Sequence, residues 1–191
     1  AAEMTKLVEN AYRDVNIAFA NEVSMIADDL NVDPFELIKL ANRHPRVNIL
    51  NPGPGVGGHC ISVDPWFLIH AAPNSTPLLK TARAVNNKKP HFIVERVREI
   101  VTSHRVRKLG CLGLAYKADV DDMRESPSLN IVREIMKGNF VKTMTCEPYL
   151  SASVLEDIPT HPLKSVLEQC DALLLLTDHS QFRLIPQQIP E

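Results

Sequence analysis

The chain has 191 residues, 45% hydrophobic and 23% charged, an ordinary globular balance in a length that suits one domain or two small ones. A formal net charge of −2 removes the electrostatic case for nucleic acid or an anionic membrane, and the longest apolar run, 172–176, is far too short to cross a bilayer. Cys60, Cys111, Cys146 and Cys170 are scattered with no C-x-x-C, which argues against a metal site or disulfide framework and for a reducing, cytoplasmic setting.

In chain order, Met4, Leu7, Val8, Ala11, Val15, Ala18, Phe19, Val23, Ile26, Ala27 and Leu30 recur at spacings of three and four, predicting one amphipathic helix over 1–30. Its apolar residues cover about two-thirds of the circumference, wider than one packing face needs, so self-association is expected. The uncapped opening Ala1-Ala2-Glu3 suggests a cut through a longer protein. Asp33-Pro34-Phe35-Glu36 supplies an N-cap, a proline at the first helical position and a box-closing Glu for a second helix, which His44-Pro45 ends. Asp64-Pro65 reads as the start of a short helix through Ile69, with Asp64 as its cap or as both a cap and a carboxylate near the Cys60 thiol. Pro77 opens a helix toward Asn87, and Pro90 opens another with the stripe Ile93, Val94, Val97, Ile100 and Val101.

The character then changes, near 103–107. Residues 108–114 form an apolar, glycine-punctuated strand, Ser126-Pro127 starts a helix that Gly138 ends, and 141–146 is a second strand. A helix over 163–169 and a buried strand over 172–177 complete the pattern. Strand and helix alternation implies a parallel sheet with right-handed crossovers. The expected fold class is α + α/β, all-helical over 1–104 and Rossmann-like over 105–191.

The densest chemical signal is Asn51-Pro52-Gly53-Pro54-Gly55-Val56-Gly57-Gly58-His59-Cys60, which holds four of the seven glycines and runs on to Asp64. Such a run exposes backbone N–H groups beside a thiol, as suits a loop that holds an oxygen-rich substrate against a nucleophile; a tight connector with an inert cysteine is the alternative. Lys6 and Asn10 share a helix face beside the apolar stripe. There Lys6 is either a solvated surface lysine or a partly buried ammonium that Asn10 positions at an oxyanion. Lys117 and Arg124 bracket the connection after the first strand, where parallel sheets bind ligands and where such cations suit phosphate; a solvated charged loop reads equally well. Gly110-x-x-Gly113 lacks the third glycine of a dinucleotide fingerprint, and there is no phosphate-binding G-x-x-x-x-G-K-[ST].

Four ordered motifs give these residues a common setting: Lys6-x-x-x-Asn10 with Asn21-Glu22; Gly57-Gly58-His59-Cys60 with Asp64; Ala82-Arg83 and Asn86 before Pro90; and Gly113-Leu114-Ala115-Tyr116-Lys117 leading to Asp121-Asp122-Met123-Arg124-Glu125-Ser126-Pro127. Together they resemble the UDP-glucose/GDP-mannose dehydrogenase family nearly end to end. The form of the glycine loop is similar to the bacterial UDP-N-acetylhexosamine branch, and within it to enzymes acting on UDP-N-acetyl-D-mannosamine for surface polysaccharide synthesis. The resemblance implies oxidation of the sugar 6-hydroxymethyl group to a carboxylate with two NAD, through a thiohemiacetal and thioester on Cys60. It implies that Lys6 stabilises the oxyanion, Asn10 helps position it, and Asp64 assists Lys6 or the hydrolytic water. It further implies that the backbone of Gly53, Gly55, Gly57 and Gly58 cradles the UDP-sugar, Lys117 contacts it, Arg46 reaches across a homodimer interface, and Arg124 reaches NAD.

The family's N-terminal dinucleotide-binding domain has no counterpart in these residues, so the chain is expected to be a central helical dimerisation domain plus a truncated UDP-binding domain, inactive by itself. Two other functions stay open: a non-catalytic UDP-sugar-binding module, which needs the loop and Lys117 but not Cys60, and a cysteine hydrolase.

Overall fold

The computed structural model describes residues 2–150, 154–155 and 157–187. The chain divides into two compact units, Ala1–Lys89 and Pro90–Glu191. In the first unit α1 spans Ala2–Asp29 and α2 spans Pro34–Ala41, and α1 packs against both α2 and α3, Asp64–Ala71. The Asp33 carboxylate caps α2 as its spacing predicts, accepting from Phe35 N at 2.7 Å and Glu36 N at 3.2 Å. Asp64 is not the cap of α3. Val63 takes that position without a side-chain bond, and Asp64 lies in the first turn with its carboxylate given to Asn10.

The faces of α1 reverse the expectation from its pattern. Met4, Val8, Phe19 and Ile26 stay exposed, whereas the buried residues are Asn10, Ala11, Asp14, Ala18, Ala20, Asn21, Ser24 and Ala27. The buried face of α1 is therefore built from alanines and polar groups, and Ile38 of α2 and Ile69 of α3 add the larger buried apolar side chains of this unit. Periodicity locates a stripe but does not say what covers it.

Helix α4, Pro77–Ser103, is continuous through Pro90, where the sequence suggests two helices. Proline deletes one ladder bond and crowds the preceding turn, which a helix of 27 residues survives. The units part at this point, inside α4, and not where the composition changes near 103–107. The reason is packing: Val94, Val97 and Val101 belong to the core of the second unit, with Leu109, Cys111, Leu114, Ile131, Val132 and Ile135.

The second unit is built on a parallel sheet of order β2-β1-β5, with β1 Lys108–Leu112, β2 Lys142–Cys146 and β5 Ala172–Leu175. Between β1 and β2 runs α5, Pro127–Gly138, whose first turn is capped by Ser126 Oγ accepting from Leu129 N at 3.3 Å. The left-handed residue that ends α5 is Asn139, φ 48°, one beyond the glycine expected to end it. A two-stranded antiparallel pair, β3 Val154–Leu155 with β4 Ile158–Pro159, precedes α6, Leu163–Gln169, and a 3₁₀ segment covers Ser180–Gln187. β5 is less buried than its apolar sequence suggests, with Leu175 52% exposed.

Lys89 gives the first unit a pH dependence. Its ammonium is buried, donates to Ser24 Oγ at 2.7 Å, and is pushed down from 10.5 to about 8 by burial, against the opposing pull of Asp28. An unfolded lysine keeps its proton to about 10.5, so between about 8 and 10.5 the unfolded state binds more protons than the native state. Stability from this group rises with pH across that window. Urea unfolding followed by circular dichroism is expected to show this rise in the native chain and a flatter profile in Lys89→Met.

Candidate functional site

The glycine loop crosses from α2 to α3 without regular structure, and its two ends are fixed by polar contacts. At its start, Gly53 N donates to Asn21 Oδ1 on α1 at 2.9 Å. At its end, Gly58 adopts φ 80°, a conformation that side chains other than glycine resist, and its carbonyl accepts from the Ser62 hydroxyl. Cys60 follows, half-buried, and its carbonyl accepts from Val63 N at 3.1 Å and Asp64 N at 2.8 Å, which ties the thiol residue to the first turn of α3. From there the Asp64 carboxylate reaches α1 and accepts from Asn10 Nδ2 at 2.6 Å.

Of the sequence candidates, the structure brings together Asn10, Asp64 and the turn that carries Cys60. It does not bring Lys6 into that group. Lys6 is exposed and pairs with Glu9 at 3.1 Å, so it is not the partly buried ammonium its position beside the stripe suggests. Arg46 is exposed; its backbone N–H donates to His44 Nδ1 at 3.3 Å. Gly55 and Gly57 are half-buried within the loop. Burial pushes the Cys111 thiol up to about 12 and Cys146 to about 11, and raises Cys170 as well, which disfavours the thiolates of these three.

Behind the loop lies a buried polar seam between α1 and α4. Arg83 Nη1 donates to Asp14 Oδ1 at 2.7 Å with side-chain exposures of 5% and 0%. Asn86 Nδ2 donates to the same oxygen at 2.8 Å and to the Asp14 carbonyl at 3.0 Å, while Asn86 Oδ1 accepts from Asn21 Nδ2 at 2.9 Å. Burial raises the Asp14 carboxyl, and Arg83 and Asn86 pull it back down. Asn21, Arg83 and Asn86 occur in the sequence motifs but nothing local marks their contact, because the partners lie 65 to 72 positions apart.

In the second unit the turn after β1 is equally fixed. Leu114 N and Ala115 N both donate to Glu147 Oε2, at 2.7 and 3.1 Å, and Tyr149 N donates to Oε1 at 3.1 Å. His179 Nδ1 accepts from Asp119 N at 2.9 Å, which leaves Nε2–H to donate to Glu147 at 3.1 Å. Both Glu147 and His179 side chains are fully buried. Sequence reasoning missed this pair, which joins the ends of β2 and β5. Lys117 stands exposed on the loop that follows, and Arg124 clamps the Asp122 carboxylate through Nε and Nη2, the shortest bond being 2.6 Å.

These contacts test the dinucleotide that the resemblance implies. A pyrophosphate cradle needs open N–H groups and a glycine face at the end of the first strand. Here Glu147 takes the N–H groups, and a Cβ at Gly113 would lie 2.5 Å from the Thr177 carbonyl oxygen. The turn after β1 is therefore not a pyrophosphate cradle. Among the described residues no His, Cys, Asp and Glu group could hold a metal ion, and no helix is long and apolar enough to cross a membrane.

Comparison with known proteins agrees with the two-part division. Residues 1–88 match the model of the UDP-glucose/GDP-mannose dehydrogenase family, central domain, and residues 110–190 match the UDP binding domain of the same family. An NDP-N-acetyl-D-galactosaminuronic acid dehydrogenase from Ralstonia nicotianae is 50% identical over 95% of this chain and 44% of its own length. A UDP-N-acetyl-D-mannosamine dehydrogenase from Campylobacter jejuni is 48% identical over 95% of this chain and 46% of its own. The solved structure of the UDP-D-ManNAc dehydrogenase from Pyrococcus horikoshii superposes with a TM-score of 0.84 at 41% identity, over 95% of this chain and 43% of that one. The chain thus spans less than half the length of these relatives, and, with both halves matching in order, it belongs to the UDP-glucose/GDP-mannose dehydrogenase family.

Proposed function

We propose that this chain is the thiol-bearing and UDP-binding portion of an NAD-dependent nucleotide-sugar 6-dehydrogenase acting on a UDP-N-acetylhexosamine, UDP-N-acetyl-D-mannosamine before its epimers. The observation that carries this reading is the Asn10–Asp64 bond, which holds a carboxylate in the same helical turn that receives the Cys60 carbonyl. Thiol, carboxylate and amide are thereby held by two helices and one loop. The free cysteines fit a cytoplasmic setting.

Each residue then has a chemical task. The Cys60 thiolate adds to the C6 aldehyde and gives a thiohemiacetal, and at the thioester level water releases the carboxylate product. Asp64, oriented by Asn10, is the base for that water. Lys6 stabilises the oxyanion; its exposed pair with Glu9 is worth at most about 1 kcal/mol, so little opposes its turning to a substrate. The backbone of Gly53, Gly55, Gly57 and Gly58 contacts the sugar, Lys117 the nucleotide, and Arg46 the substrate of a second copy. NAD supplies the hydride acceptor when bound in the intact enzyme, with Arg124 within its reach. What this chain supplies is the nucleophile, its polar surroundings and the UDP-binding domain.

The exposed apolar face of α1 supports a homodimer. Met4, Val8, Tyr12, Phe19 and Ile26 fall on spacings of four and seven, and each is at least half exposed. Sedimentation equilibrium is expected to show a dimer for the native chain and a shift to monomer in Val8→Glu or Phe19→Glu.

Calorimetry against a panel of UDP-sugars tests the substrate. Binding is expected for UDP-N-acetylhexosamines, and Lys117→Ala is expected to weaken it roughly ten- to hundredfold, the effect of losing a charged hydrogen bond. A chain that binds no UDP-sugar would refute the reading. In the intact enzyme, Cys60→Ser is expected to retain substrate binding and lose the four-electron oxidation. Oxidation that survived this change would favour the non-catalytic binding module.

A further inference from the structure

The polar seam behind the glycine loop has an order that packing alone does not require. The Asp14 carboxylate and carbonyl can only accept, so Asn86 must present Nδ2 to both, at 2.8 and 3.0 Å. That turns Asn86 Oδ1 toward Asn21, which must answer with its own Nδ2 at 2.9 Å. The remaining atom, Asn21 Oδ1, then faces out of the helix pair and is the acceptor that Gly53 N meets at 2.9 Å. Arg83 closes the inner end, holding Asp14 Oδ1 at 2.7 Å and Asn87 Oδ1 at 2.6 Å. Each amide has one orientation available, and the buried charge at the far end sets it. A free asparagine could flip and offer Gly53 a donor instead, which would repel its N–H.

We propose that Asn21 is a positioning residue that fixes the start of the Cys60 loop, with Asn86, Asp14 and Arg83 fixing which atom of Asn21 faces Gly53. This rests on the reading of that loop as the substrate cradle. Asn21 touches no reacting atom; it acts by setting where the exposed N–H groups after Gly53 begin. A seam that served helix packing alone would end on the helices, whereas this one ends on the backbone of an irregular loop.

The first measurement needs no substrate. Amide hydrogen exchange at Gly53, read by nuclear magnetic resonance in the native chain, is expected to accelerate about tenfold in Asn21→Ala, the loss of one hydrogen bond. Asn21→Asp keeps the acceptor for Gly53 but sets an oxygen against Asn86 Oδ1, and is expected to restore part of the protection. Asn86→Leu, which frees Asn21 to flip, is expected to fall between the two. If Asn21→Ala loses its helical circular dichroism, Gly53→Pro removes the same bond from the loop side. Gly53→Ala is its control, since a Cβ there meets nothing within 4 Å. The second measurement is calorimetry with UDP-N-acetyl-D-mannosamine, in which Asn21→Ala is expected to bind several-fold more weakly than the native chain.

Unchanged Gly53 exchange in Asn21→Ala, or unchanged Gly55 and Val56 exchange in Gly53→Pro, overturns the proposal. So does faster exchange with undiminished UDP-sugar affinity, because the loop would then be held for a reason unrelated to substrate. A native chain that binds no UDP-sugar while the exchange differences remain would defeat the functional reading and leave Asn21 as the loop's anchor.

Discussion

The first unit depends on one buried ion pair, Asp14 with Arg83. Removing two charges from water costs several kcal/mol per ion, and their attraction offsets this only where geometry is good and remaining polar atoms are bonded. Here Asn86 and Asn87 bond part of the shell, while Asp14 Oδ2 and Arg83 Nε are buried without a partner. Such a pair contributes little net stability, but it permits few alternative registers between α1 and α4. Alanines at 11, 18 and 82 are buried in the same unit.

The same pair explains why α1 is turned as it is. A helix that buries Asn10, Asp14 and Asn21 in one line must leave its larger apolar residues on the other side. Met4, Val8, Phe19 and Ile26 are exposed as a consequence, and the hydrophobic effect makes a covering partner favourable. The proposed association and the site geometry are then two results of one choice of buried face. A unit with a conventional apolar interior would hold together more firmly and would have neither the outward stripe nor the inward amides.

Much of this was legible from local sequence, and the limits are physical. Asp33-Pro34 and Ser126-Pro127 mark helix starts because a cap is a contact between near neighbours. The glycine loop was legible because a cluster of glycines beside a cysteine is rare. Asp64 reads from the sequence as a cap, a carboxylate near the thiol, or both, because the same carboxylate can serve the turn beside it or an amide 54 positions away, and only the fold decides. Pro90 was misread as a break because proline's local effect is fixed, whereas packing on both sides of it is not. Glu147 and His179 gave no signal at all: a glutamate before a proline and a histidine near a chain's end are unremarkable until β2 and β5 bring them to 3.1 Å.

The two units solve a shared problem by opposite means. Backbone that is to meet a ligand must leave N–H groups unpaired by secondary structure, yet must not wander. In the second unit the turn after β1 is held by an internal carboxylate: Glu147 accepts from Leu114 N and Ala115 N, so those N–H groups are already bonded. In the first unit the anchor is neutral at the loop and charged only at a distance, since Asn21 meets Gly53 while the carboxylate and guanidinium lie two amides behind. A carboxylate at the position of Asn21 would hold Gly53 as well, but it would set a negative charge beside a loop proposed to receive an anionic nucleotide-sugar. Passing orientation through amides keeps the direction of the bond and removes the charge from its end.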